Sequence, residues 1–120
     1  MNHPLPSRRK VRTAWLVLFL VGCKGVPLAR DQLKGSAGGE LYSGYTKPDV
    51  ACFSCHGGEA KGHWRGPGLE GPIQDMSVEQ LREVINTGTG WMPPYKDVLT
   101  PEEIDQILQW LRERLPAPAR

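Results

Sequence analysis

At 120 residues the chain has room for one small domain. Its 14 Gly and 11 Pro leave few long regular segments, so side chains alone would fill a core thinly and a bound group would have to help. The formal charge of +2 rests on the first twelve residues, which hold Arg8, Arg9, Lys10 and Arg12; from Cys23 onward eleven Lys and Arg face thirteen Asp and Glu, about −2, a balance that gives no sign of a nucleic-acid partner.

Arg8 to Arg12 lead into the apolar run Ala14 to Val21. A run of about eight residues is far shorter than the roughly 20 needed to cross a bilayer, so it reads as an export signal. It ends in Leu20-Val21-Gly22-Cys23, which resembles the lipobox of bacterial lipoproteins. That resemblance implies acylation of Cys23, a mature protein anchored by lipid on the periplasmic side of a membrane, and a reason for an odd third cysteine. Residues 1–22 are therefore expected to be a signal peptide and 23–37 a flexible tether, polar and without periodicity.

Further along, Gly38 to Tyr42 begin a short helical pattern in which Leu41, Tyr42 and Tyr45 share one side. Ser77 and Gln80 have the form of a capping box, and Val78, Leu81, Val84 and Ile85 repeat at helical spacing until Gly88, predicting a helix over 78–87. The clearest element is the last: Thr100 as N-cap, Pro101 next, Glu103 at the third position, then Ile104, Ile107, Leu108, Leu111 and Leu115 on one face. Acidic residues open that helix, Arg112 and Arg114 close it, and Pro116 ends it. The Gly/Pro-rich stretches 57–76 and 88–99 are expected as loops, and no strand pattern of similar quality is present. The class is all-α, with a domain over 38–116 and a tail at 117–120.

Cys52-Phe53-Ser54-Cys55-His56 carries the C-x-x-C-H spacing of covalent haem attachment. Within one helical turn two cysteines three residues apart point the same way, and the adjacent histidine can reach a metal. Two other chemistries use such pairs. A redox-active C-x-x-C sits after a strand, and none precedes Cys52; a zinc site needs four ligands, and only His63 is near, at an unusual spacing. Met92 follows in Gly90-Trp91-Met92-Pro93-Pro94, a stretch that cannot be helical. A methionine in such a stiff loop is placed to offer its sulfur to a metal, whereas Met76, just before the Ser77 cap, reads as packing. His63 reads as a solvated loop histidine; Trp64, Arg65 and Trp91 carry donors suited to haem propionates, with a plain surface role the equal alternative for Arg65 and none of the three singled out.

C-F-S-C-H-G at 52–57, G-P-G-L at 66–69, W-M-P-P-Y at 91–95 and a last helix with Trp110-Leu111 resemble the class I cytochrome c family, in its bacterial single-domain monohaem form, over roughly residues 38–115. The resemblance implies helices wrapped around one covalent haem c held by Cys52 and Cys55, with His56 and Met92 as axial ligands. It further implies that the carbonyl of Pro67 accepts a hydrogen bond from His56, and that Gly38 and Tyr42 pack against Ile107, Trp110 and Leu111. Tyr42 precedes Cys52 by ten positions, about twice the family's gap, so residues 43–50 are expected to be an inserted loop. The implied function is electron transfer between redox protein partners without catalysis. The alternatives are a haem subunit permanently docked in a respiratory or dehydrogenase complex, and a ligand-binding haem with an open sixth position, against which Met92 stands.

Overall fold

The structure, a computed structural model, describes residues 33–117. Five helices follow in order: α1 (Ala37–Tyr42), α2 (Phe53–His56), α3 (Glu70–Asp75), α4 (Val78–Thr87) and α5 (Pro101–Arg114). Among the described residues there is no strand, only isolated bridges pairing His63 with Gly66 and Thr89 with Met92.

Local chemistry sets the ends of the longer helices. In α4 the Ser77 hydroxyl accepts from the Gln80 N–H while the Gln80 side chain accepts from the Ser77 N–H; in α5 Thr100 and Glu103 do the same. Each box satisfies two backbone donors that a helix start otherwise leaves unpaired. Both helices therefore begin where their residues predict. Arg82 reaches from α4 to Asp105 of α5 through two hydrogen bonds of 2.7 and 2.8 Å, a solvent-screened pair that orients the helices more than it stabilises them.

The core is built on α5, whose buried face carries Ile104, Ile107, Leu108, Trp110 and Leu111, with Leu115 just beyond its end. Helix α1 crosses this face. The Tyr42 and Trp110 rings lie 4.9 Å apart at 37°, and a Cβ at Gly38 would run into the Gln106 carbonyl and the Trp110 Cβ. The absence of a side chain at Gly38 is thus what lets the two backbones meet. Gly38→Ala should lower the melting temperature of the haem-loaded protein by more than about 5 °C, since overpacking costs roughly 1–3 kcal/mol in so small a domain. Thermal unfolding followed by circular dichroism reads this, and an unchanged midpoint would remove the close crossing from the account of stability.

Three features differ from the sequence expectations. Helix α3 lies inside a stretch expected as loop; it has no side-chain cap, yet it buries Ile73. Leu33, in the segment expected as tether, is 1% exposed and joins the core, so packing begins before residue 38. The loop over 43–50 is present but strapped down: Lys47 Nζ donates to the Val98 carbonyl at 2.8 Å and to Glu103 at 2.6 Å, while Val50 is fully buried beneath. The Lys47 bond, with the Thr100 backbone N–H next, holds the Glu103 carboxyl below the usual range.

Candidate functional site

A cavity of about 800 Å³ opens among the helices. Its wall is mainly apolar, with Leu69, Ile73, Leu81, Val84, Ile85 and Ile107 among the lining side chains. Cys52, Cys55, His56, Pro67 and Met92 line the same space, so the structure brings together every site residue expected from the sequence within the described range. Cys23 lies outside the described residues.

Helix α2 is a single turn starting from Cys52 and ending at Gly57, whose φ of 82° breaks it. Cys55 N–H and His56 N–H both bond back to the Cys52 carbonyl, at 3.2 and 2.9 Å. This turn presents both sulfurs and the imidazole to the cavity. Tyr42 secures its end by donating to the Gly57 carbonyl at 2.6 Å, and burial raises the Tyr42 pKa further above the tyrosine range.

His56 Nδ1 lies 2.8 Å from the Pro67 carbonyl, which can only accept. The proton therefore sits on Nδ1, and the lone pair of Nε2 is the one left to meet a metal. Gly66 lets Pro67 come this near, because a Cβ there would stand 2.8 Å from the Cys55 carbonyl oxygen.

Met92 sits in a turn closed by two backbone bonds, Thr89 N–H to the Met92 carbonyl at 3.2 Å and Met92 N–H to the Thr89 carbonyl at 2.8 Å. Gly88 and Gly90 supply φ values of 70° and 54°, and Tyr95 N–H ties the far side of the loop to the Ile85 carbonyl at 3.0 Å. Met92 is half-buried and lines the cavity. Met76 lines it as well while packing on the core.

The rival chemistries fit less well. Burial pushes the Cys52 thiol up to about 11, with Cys55 adding to the rise against a lowering backbone bond, whereas redox-active pairs need a depressed thiol. Among the described residues no three His, Cys, Asp or Glu side chains converge as a metal-binding group. The cavity instead suits a large apolar group that two thiols can bond at its rim.

Residues 36–111 match the family model described as cytochrome C oxidase, cbb3-type, subunit III, which is more than half of the chain. The chain belongs to this family of c-type cytochromes. Its cofactor is covalently bound haem c and its function is electron transfer. Cytochrome c-555 of Methylococcus capsulatus (strain ATCC 33009 / NCIMB 11132 / Bath) is 28% identical over 116 residues, 95% of this chain and 89% of that protein. Cytochrome c-L of Methylorubrum extorquens is 30% identical over 83 residues, 65% of this chain but only 42% of that protein. The crystal structure of the c-type cytochrome XoxG from Methylobacterium extorquens AM1 superposes with a TM-score of 0.51 at 25% identity, over 62% of this chain and 50% of the other. The all-α cytochrome fold expected from the sequence is thus the observed one.

Sequence reasoning missed part of the cavity wall. Ile73 comes from the unforeseen α3, for which Glu70 in the first turn and Pro72 close behind were the available signals. Of the three candidate propionate donors, Arg65 and Trp91 line the cavity, Arg65 lying 5.1 Å from the Trp64 ring centroid and Trp91 being fully exposed at the mouth, while Trp64 is 88% exposed and outside the lining. His63 is exposed but not merely solvated, since both ring nitrogens meet backbone groups.

Proposed function

We propose that this chain is a membrane-tethered electron carrier of the periplasmic side. In this reading haem c is bonded through Cys52 and Cys55, its iron is held by His56 and Met92, and an acylated Cys23 ties the domain to the membrane. The observation that carries the reading is the convergence of both thiols, the His56–Pro67 bond and Met92 on one apolar cavity. When bound, the haem supplies a one-electron couple.

The chain's own residues set how that couple behaves. Pro67 fixes the His56 ring and, by drawing on its Nδ1 proton, makes Nε2 a stronger donor. The soft Met92 thioether favours the ferrous state, and two protein ligands together leave no position for substrate, which is why a carrier and not an enzyme results. The apolar side chains of α3, α4 and α5 keep water from the centre and so limit reorganisation when charge moves.

Membrane fractions of the native host test the tether. Mass spectrometry should find a mature terminus at Cys23 carrying two or more acyl chains, since each buried CH₂ contributes only about 0.8 kcal/mol. Cys23→Ala should move the haem-loaded domain to the soluble periplasmic fraction with its spectrum intact. An unacylated terminus elsewhere would refute the tether, and co-migration with larger haem proteins on native gels would favour a docked subunit.

A further inference from the structure

Helix α2 has only four residues, so its last carbonyls need partners from outside. The Phe53 carbonyl takes the Gly57 N–H and the His56 carbonyl takes the Gly62 N–H at 2.8 Å. The Ser54 carbonyl is met by a side chain, the His63 ring, with Nε2 at 3.0 Å. The other ring nitrogen, Nδ1, accepts the Arg65 backbone N–H at 3.2 Å. One neutral imidazole with its proton on Nε2 satisfies both bonds at once.

That ring spans the two segments whose spacing matters most. Ser54 belongs to the haem-attachment turn, and Arg65 lies two residues before Pro67, the acceptor for His56 Nδ1. His63 and Gly66 also exchange backbone bonds of 3.0 and 3.2 Å, so the 63–66 turn is a closed unit that moves as one piece. Its register against α2 is set by the His63 side chain, beside the Gly62 N–H bond to the His56 carbonyl, on one side and by the Gly66 approach to Cys55 on the other. Loosening either would let Pro67 retreat from His56.

We infer that His63 is a positioning residue for the iron centre: by clipping the 63–66 turn onto the Ser54 carbonyl it holds the Pro67 carbonyl against His56 Nδ1 and so tunes the axial histidine. This rests on His56 being the iron ligand. Without the clip the His56–Pro67 bond is longer and weaker, the imidazole is a poorer donor to ferric iron, and the potential rises.

The test uses haem-loaded full-length wild type, His63→Ala and His63→Gln. In ¹⁵N-labelled ferrous protein, exchange of the His56 Nδ1 proton with solvent should be about tenfold faster in His63→Ala, the scale expected for loss of one ordinary hydrogen bond. The midpoint potential should rise with it. His63→Gln keeps a donor and an acceptor on one side chain and should restore most of both. Wild-type exchange and potential in both variants would overturn the proposal, as would an equal potential shift in both with exchange unchanged, which marks a surface charge effect. If His63→Ala fails to retain haem, His63→Gln against the shorter His63→Asn gives the same reading, and equality of those two would also overturn it. A wild-type protein lacking the low-spin spectrum of a histidine-ligated haem would sink the ligation reading itself, whereas normal spectra with unmoved exchange sink the clip alone.

Discussion

Cys52→Ala/Cys55→Ala should retain no haem after acid-organic extraction of the denatured protein, whereas the wild type should retain all of it. The larger effect is on folding. The cavity of about 800 Å³ is mainly apolar and open to the surface, so without haem its lining side chains have neither cofactor nor protein atoms to pack against. The cavity of the haem-free double variant must therefore flood or collapse. Far-ultraviolet circular dichroism should show reduced helix, near-ultraviolet signals from Tyr42 and Trp110 should fade, and thermal unfolding should lose cooperativity. Cys52→Ala alone should keep haem on one thioether and a folded domain of lower stability. A double variant that holds haem through denaturation would refute the attachment, and one that folds like the wild type without haem would show that the cavity does not need filling.

The parts of this fold that were legible in the sequence are those whose cause is local. The bounds of α4 and α5 follow from side chains capping their own backbone, so Ser77, Gln80, Thr100 and Glu103 announce them without any tertiary information. Gly38 and Tyr42 were legible by resemblance, and the structure gives the reason: the one admits the Gln106 backbone and the other stacks on Trp110. Helix α3 was hidden because six residues holding a Gly and a Pro have almost no intrinsic preference and form where Ile73 gains burial. Leu33 was hidden for a related reason, since the scattered apolar residues of its polar, Gly-containing stretch form no sustained period to betray it. His63 is the instructive miss, since both its partners are backbone groups of Ser54 and Arg65 that no residue pattern records.

Met92→Ala separates an electron carrier from a ligand-binding haem. With sulfur on the iron, the oxidised wild type should show a methionine-to-iron charge-transfer band in the far red, and the reduced form should bind carbon monoxide slowly or hardly at all. The variant should lose the band, bind carbon monoxide readily and drop in potential, because a soft ligand that favoured ferrous iron is gone. The loop should survive the change, since its shape comes from the Thr89–Met92 backbone bonds, Gly88 and the Tyr95 N–H bond to Ile85, none of which uses the methionine side chain. Lost function would then report lost sulfur and not a lost loop. Met76 makes the comparison necessary, for it lines the same cavity from the position just before the Ser77 cap of α4. Met76→Ala should leave the band and the ligand exclusion intact and cost stability alone, as truncation of a half-buried packing residue does. If the two variants exchange these behaviours, Met76 is the sixth ligand; if wild-type protein already binds carbon monoxide rapidly, the sixth position is open and the carrier reading fails.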